Sequence, residues 1–354
     1  MTLEDLGYHS TLDLYRKEHA LEAFEVGRVI AEHKERYVVK TPEKEFDAEI
    51  LGNLRYTAQS RADFPAVGDW VAISEYDDDS VIIHSLLPRR SILERQSVGK
   101  KGDKQIIATN IDFAFIVQAV DRDFSLNRIE RYLTICNASK VEPIVLLNKI
   151  DMTDEVILRQ MIDSVKKRLP HVLVYAISNT TLKGIATLKN SLEKGKTYCL
   201  LGSSGVGKST LLNILSGKEL MTTDSISTHS NRGKHVTTHR ELHVLKDGGI
   251  LIDNPGMREV GITDAQGGLE HTFDSIFELS KDCKFKDCSH TVEIGCAVKE
   301  ALEHGVIDQQ SYENYLKMSK EKAHFETSVA EKRKRDKVFG KLMKNYKKDN
   351  FGKY

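Results

Sequence analysis

The sequence predicts an α/β protein in three parts: a small β-barrel, a doubly wound parallel-sheet domain, and a short helical unit built around cysteine and histidine. Three observations predict this. Residues 24 to 93 hold five short β-type runs separated by turn-formers. From about residue 105, continuous apolar runs alternate with helical stretches, as strands covered on both faces do. Three of the five cysteines then crowd into positions 283 to 296 beside a histidine. A length of 354 residues allows two or three domains, and a chain 40% hydrophobic and 29% charged is neither collagen-like nor wholly disordered.

The first segment, 1–23, is an amphipathic and acidic helical extension that does not resemble a signal peptide. The runs FEVGRVI, RYVVK, EFDAEI, DWVAI and SVIIHSLL make up the unit 24–93. Five strands in that length suit an OB-fold-like barrel, with an SH3-like barrel as the alternative. Pro88, Arg89 and Arg90 close this unit, and Leu93-Glu94-Arg95-Gln96 is expected to begin a polar linker. The α/β domain, 94–265, contains IDFAFIVQAV, PIVLLNK, HVLVYAIS, TYCLLG and the pair ELHVLKD and GILIDNPG. Residues 266–330 form the cysteine/histidine unit, and QQSYENYLKMSKEKAHFE within it reads as a helix. A basic tail, 331–354, ends the chain. No apolar run reaches the roughly 18 residues of a membrane-spanning helix, so no membrane association is expected.

Gly202-Ser203-Ser204-Gly205-Val206-Gly207-Lys208-Ser209-Thr210 fits G-x-x-x-x-G-K-[ST] between an apolar strand and the helix STLLNIL. Backbone N–H groups of such a loop wrap a β-phosphate, Lys208 neutralises the β/γ oxygens and Ser209 ligates Mg²⁺. Asn148-Lys149-Ile150-Asp151 ends the strand PIVLLNK and fits N-K-x-D. There Asp151 accepts from guanine N1–H and the 2-amino group, Asn148 addresses O6/N7, and the Lys149 stem covers the ring. Adenine would leave that carboxylate unpaired, at a cost of about 1–3 kcal/mol. Ser178, ending HVLVYAIS, supports the guanine O6.

Asp253-Asn254-Pro255-Gly256 fits D-x-P-G, in which Asp253 holds a Mg²⁺-bound water and the Gly256 N–H senses the γ-phosphate. Between the two phosphate motifs lies a polar stretch ending Gly233-Lys234-His235-Val236-Thr237-Thr238-His239-Arg240. A threonine there ligates Mg²⁺ only while γ-phosphate is present, and Thr238 is preferred to Thr237. Met257 stands where a water-orienting Gln would help, so slow intrinsic turnover is expected; His235 and His239 are alternatives for that task. N-K-x-D precedes the P-loop by 54 residues (202 minus 148), the reverse of the ordinary order. Because all these motifs sit on loops after parallel strands, a circular permutation keeps the site intact in space.

Cys283-x4-Cys288-x-His290-x5-Cys296 supplies three thiolates and one imidazole, a closed tetrahedral set for a structural Zn²⁺. Cys136 and Cys199 lie on apolar faces and read as core. Charge is unevenly spread. Residues 1–93 hold 11 basic and 18 acidic side chains (net −7), whereas 331–354 hold 10 and 3 (net +7). An anionic partner would therefore meet the C-terminal tail at Lys332, Arg333, Lys334 and Arg335. A reading from another class stays open, an RNA-binding assembly scaffold in which GTP is a structural ligand without turnover.

The OB-like barrel, N-K-x-D ahead of G-x-x-x-x-G-K-S, and C-x4-C-x-H-x5-C together resemble the RsgA (YjeQ/YloQ) family of bacterial small-ribosomal-subunit biogenesis GTPases over roughly residues 24 to 320. The resemblance implies cytoplasmic GTP hydrolysis to GDP stimulated by the 30S subunit, late 30S maturation, and contacts to 16S rRNA from the flanking domains. It places the family's motifs on Asn148 to Asp151, Gly202 to Thr210, Thr237/Thr238, Asp253 to Gly256, and the Cys283, Cys288, His290, Cys296 set. Val236 and Asn254 depart from the family's usual threonines. A monomer is the default expectation.

Overall fold

The structure, a computed structural model, describes residues 1–33, 36–58, 60–96, 104–121, 124–217, 240–246, 248–253, 267–327 and Lys334. Met1–Glu94 with Ile106–Val260 form one compact unit, and Arg95–Gln105 with Gly261–Tyr354 form a second.

The first unit opens with a 3-10 turn (Glu4–Leu6) and helix α1 (Thr11–Glu18). Strands β1 (Glu25–His33), β2 (Arg36–Lys40), β3 (Glu45–Ile50), β4 (Trp70–Asp77) and β5 (Ser80–Leu86) follow, with helix α2 (Gly52–Thr57) between β3 and β4. They pair in the order β1-β2-β3-β5-β4, and β4 returns to β1, closing a five-stranded barrel in which only β3 and β5 run parallel. Period-two alternation builds it: along β3, Phe46, Ala48 and Ile50 are buried while Glu45, Asp47 and Glu49 face solvent. The barrel's acidic balance is thus partly an outward face whose inner partner is Val29, Val39, Ile73 and Ile83.

Strands β6 (Ile92–Gln96) and β7 (Lys104–Thr109) pair as a two-stranded sheet. The expected polar linker at 93–96 is therefore a strand. Leu93 explains the difference, because it is fully buried in the α/β core and draws its neighbours into extended structure. The α/β part comprises β8 (Phe113–Ala119), α3 (Leu126–Ala138), β9 (Glu142–Asn148), α4 (Glu155–Arg168), β10 (Leu173–Ala176), α5 (Ile185–Asn190), β11 (Thr197–Leu201), α6 (Lys208–Ser216), β12 (Glu241–Val244) and β13 (Ile250–Asp253). The sheet order is β10-β9-β8-β11-β13-β12, with β10 through β13 parallel and β12 antiparallel. Alternate residues of β8 serve opposite faces: Ala114 and Ile116 pack with Ile129 and Leu133 of α3, whereas Phe115 and Val117 pack with Leu211 and Leu215 of α6. Ser125 caps α3 by accepting from the Arg128 N–H at 3.4 Å, and Asp154 caps α4 by accepting from the Ile157 N–H at 2.9 Å.

The barrel is joined to this sheet: Ala31 of β1 pairs with Glu241 of β12, making eleven strands continuous. Buried polar groups reinforce the joint. The Arg28 guanidinium, fully buried, donates to the carbonyls of Leu6 (2.6 Å), Gly68 (3.2 Å) and Asn110 (3.1 Å) and lies over the Trp70 ring. Buried Asp69 accepts from Arg89 at 2.6 and 2.8 Å and from the Thr109 hydroxyl at 2.6 Å.

The second unit contains α7 (Gly268–Thr272), α8 (Asp274–Ser280), α9 (Ala297–Glu303) and a helix, α10, over 309–327. Phe273, Ile276, Val298 and Met318 form its small core. Among the described residues, no helix is long and apolar enough to cross a membrane.

Candidate nucleotide site and metal centre

Since β9, β10, β11 and β13 run parallel, the loops after them emerge at one edge of the sheet. That edge holds Asn148 to Asp151, Ser178, the loop 202–210 and Asp253, the residues singled out in the sequence.

The 202–210 loop needs glycine where the chain turns sharply. Gly202, Gly205 and Gly207 have φ of 145°, 81° and 98°, and a Cβ on Gly202 would sit 2.4 Å from the Val117 carbonyl oxygen. Lys208, the first residue of α6, folds its ammonium back onto the carbonyls of Gly202 (2.8 Å) and Ser203 (2.6 Å). Burial pulls that ammonium down to about 8, against the opposing pull of the Asp253 carboxylate. Asp253 ends β13 and is itself buried, so a cation and an anion are held together beside an N-terminal helix turn whose N–H groups lack intrahelical acceptors.

The 148–151 turn is fixed from several sides. Lys149 adopts the left-handed conformation (φ 64°) and pairs with Asp121 at 3.2 Å, while Ile150 is buried with its N–H donating to the Ile177 carbonyl. Asp151 accepts from the Ser178 hydroxyl, which in turn accepts from the Thr181 N–H at 3.0 Å. One oxygen of the carboxylate is thereby oriented. Asn148 is buried, its amide donating to the Val206 carbonyl at 2.7 Å and accepting from the Asn179 N–H at 3.3 Å. It braces the phosphate loop against the base loop, with one N–H left for a ligand.

In the second unit the ligand atoms of Cys283, Cys288, His290 and Cys296 all lie within 4.8 Å of one another. Cys283 and Cys296 sulfurs are 3.8 Å apart, and His290 Nδ1 lies 3.6 and 3.4 Å from them. A tetrahedron with metal–sulfur bonds of about 2.3 Å and metal–nitrogen bonds of about 2.0 Å has edges of about 3.8 and 3.5 Å. The four groups could therefore hold one ion with every position filled by protein. Their electrostatics agree. Burial, which raises the Cys283 thiol, is outweighed by the Val298 and Ala297 N–H groups at the start of α9, and its pKa falls below the ordinary thiol value. Burial lowers His290, keeping it neutral as a ligand must be. Burial and the adjacent Cys296 and Cys283 sulfurs push Cys288 up to about 11, a crowding that a divalent cation would relieve. The His290 carbonyl accepts from the Tyr312 hydroxyl of α10, and Glu293 gathers the N–H groups of Ser289, Thr291 and Val292, so the loop is braced around its ligands.

Comparison with known proteins bears on both sites. The RsgA GTPase family profile matches residues 86–263. Small ribosomal subunit biogenesis GTPase RsgA 2 of Listeria monocytogenes is 41% identical over 325 residues, spanning 92% of this chain and 90% of that protein. RsgA 1 of Bacteroides thetaiotaomicron is 39% identical over 324 residues, spanning 91% and 90%. The chain belongs to the RsgA GTPase family. As an RsgA GTPase it is a GTP hydrolase of α/β architecture with the permuted motif order. The crystal structure of YjeQ from Thermotoga maritima superimposes with a TM-score of 0.62 at 28% identity, covering 83% of this chain and 96% of that one. That of YloQ, described as a circularly permuted GTPase, gives 0.61 at 25%, covering 89% and 98%.

Several of the residues expected in an RsgA site lie outside the described residues: His235, Thr237, Thr238 and His239 of the polar stretch, Asn254 to Met257 after Asp253, and, Lys334 apart, the basic tail. Two site residues were missed by sequence reasoning. Asp121 pairs with Lys149, and Asn179 donates its side-chain amide to the Gly207 carbonyl at 2.8 Å. The signal for both was position, since each follows a strand of the nucleotide edge.

Proposed function

We propose that this RsgA GTPase acts in maturation of the small ribosomal subunit, binding the 30S particle and 16S rRNA in the cytoplasm as a monomer and hydrolysing GTP faster when the particle is present. The observation that carries the reading is the convergence of Asn148 to Asp151, Ser178, the 202–210 loop and Asp253 on one sheet edge. The oriented Asp151 carboxylate accepts from guanine N1–H and the 2-amino group. Ser203, Ser204, Gly205, Val206, Gly207, Lys208, Ser209 and Thr210 surround the phosphates. Ser209 and Thr238 would hold the Mg²⁺ that accompanies GTP, which would supply positive charge at the phosphates. Lys208 leaves its resting carbonyls for the phosphates, and Asp253 and Gly256 complete the surroundings of the γ-phosphate. In the second unit Cys283, Cys288, His290 and Cys296 hold one structural Zn²⁺. The relatives' names support the ribosomal role.

Steady-state hydrolysis with and without purified 30S subunits tests this. Stimulation of slow intrinsic turnover by 30S is expected. Equal rates with and without the particle would refute the ribosome dependence, and the absence of turnover in both would favour the scaffold in which GTP is only a structural ligand.

A further inference from the structure

Asn179 occupies the first position after Ser178, where nothing in the motif pattern requires an amide. Its Nδ2 donates to the Gly207 carbonyl at 2.8 Å, and its backbone N–H donates to Asn148 Oδ1 at 3.3 Å. Asn148 in turn donates to the Val206 carbonyl at 2.7 Å. Two linked amides therefore grip two consecutive carbonyls of the phosphate loop. Their approach is so close that a Cβ on Gly207 would lie 2.4 Å from Asn148 Nδ2 and 2.8 Å from Asn179 Nδ2.

The consequence follows from peptide geometry. No peptide bond here is cis, and in a trans peptide the C=O and N–H point in opposite directions. Fixing the Val206 and Gly207 carbonyls toward the asparagines aims the N–H groups of Gly207 and Lys208 the other way. Those two donors open helix α6, and the Gly207 carbonyl also accepts the first bond of that helix, from the Leu211 N–H at 2.9 Å. An anion at this helix start meets donors already oriented. The Nδ2 contact to the Gly207 carbonyl rules out an amide rotated by 180°, which would set oxygen against oxygen, and among the described residues the buried Asn179 Oδ1 has no partner.

We propose that Asn179 is a positioning residue for the β-phosphate: it sets the Gly207–Lys208 peptide and so ties phosphate affinity to the base loop without reading the base. The proposal rests on the nucleotide-site reading above. It differs from a base-contacting role and from a purely structural one, in which every ligand, GMP included, loses affinity.

The test is competition against a fluorescent GDP analogue by GDP, IDP and GMP, in the full chain and in Asn179→Ala and Asn179→Asp. IDP lacks the 2-amino group and GMP lacks the β-phosphate. Loss of one hydrogen bond predicts that Asn179→Ala weakens GDP and IDP alike, by about five- to tenfold, and leaves GMP unchanged. Asn179→Asp keeps the size but loses the donor, and is expected to lose at least as much. In steady state, KM for GTP rises while kcat holds. A changed GDP:IDP ratio would make Asn179 a base reader, an equal loss for GMP would make it a structural brace, and unaltered GDP affinity in both variants would remove its role; each overturns the proposal. Wild-type protein binding ADP as well as GDP would instead sink the guanine-site reading, independently of the variants.

Discussion

Asp151 and Lys208 were legible as motif residues because N-K-x-D and G-x-x-x-x-G-K-S are local patterns whose spacing suffices. Asn179 was not, because its partner Gly207 lies 28 residues away and only the sheet edge brings them together. Two outcomes belong at this scale. Asp151→Asn removes a charge-assisted acceptor and presents an amide donor in its place, so GDP affinity should drop roughly tenfold to a hundredfold while xanthosine diphosphate, with an acceptor at position 2, gains. Calorimetric titration with both nucleotides decides, and unchanged preference would remove Asp151 from base recognition. Lys208 gives a second. Burial holds its ammonium at about 8 in place of 10.5, so the ligand-free fold carries an unfavourable charge below about pH 8 and is relieved of it as pH rises toward 10.5. A phosphate beside the ammonium favours the charged form, so nucleotide binding near or above pH 8 must take up protons, and affinity falls as pH rises. Titrations at about pH 8.5 in buffers of different ionisation enthalpy should show fractional uptake that vanishes near pH 6.5. Buffer-independent heats at the higher pH would contradict it.

At the scale of elements, the periodicities carried the barrel and the parallel sheet. β3 alternates and β8 does not, because one has a solvent face and the other is covered on both sides. The failure at β6 has a physical cause: Leu93 stands in a polar neighbourhood, and its burial comes from the α/β core and not from its flanks. The second unit depends on few apolar residues, with Phe273, Ile276, Val298 and Met318 at the centre, so its order should depend on the ion proposed for Cys283, Cys288, His290 and Cys296. If the set holds one zinc per chain as proposed, Cys288→Ser is expected to lower zinc content and to speed proteolysis within 267–327, while GDP affinity, proposed to rest on the other unit's loops, is unchanged. Elemental analysis with limited proteolysis checks this; equal protease resistance in the variant would show that the core holds without metal.

For the molecule as a whole, the decisive feature lay beyond any local pattern. A four-residue strand, β12, joins the barrel to the α/β sheet, and no periodicity announces which edge a strand will meet. Arg28 completes that joint. Burial draws it down to about 10 against the opposing pull of the Asp112 and Asp69 carboxylates, so it is charged at neutral pH, and it donates to three carbonyls, from the N-terminal turn, the barrel and the connection between β7 and β8. Such a shared donor couples the barrel to the parallel sheet, because separating them breaks three hydrogen bonds of a charged group.

Trp70, the single tryptophan, reports on this from inside the barrel, where the Arg28 guanidinium lies over its ring. At the proposed site GDP would lie on the sheet edge of the 148–151 and 202–210 loops, away from the barrel, so it can stabilise Trp70 only if the two parts are one cooperative unit. Saturating GDP at about a hundred times Kd should stabilise that unit by about 2.7 kcal/mol and raise the midpoint of the Trp70 fluorescence transition. Arg28→Met leaves the three carbonyls without their donor, which should lower that midpoint sharply and, if it uncouples the parts, erase its response to GDP. A Trp70 transition in the wild-type protein that ignores GDP would show the barrel unfolding by itself, with the β1 to β12 pairing and the Arg28 contacts too weak to join it to the GTPase core.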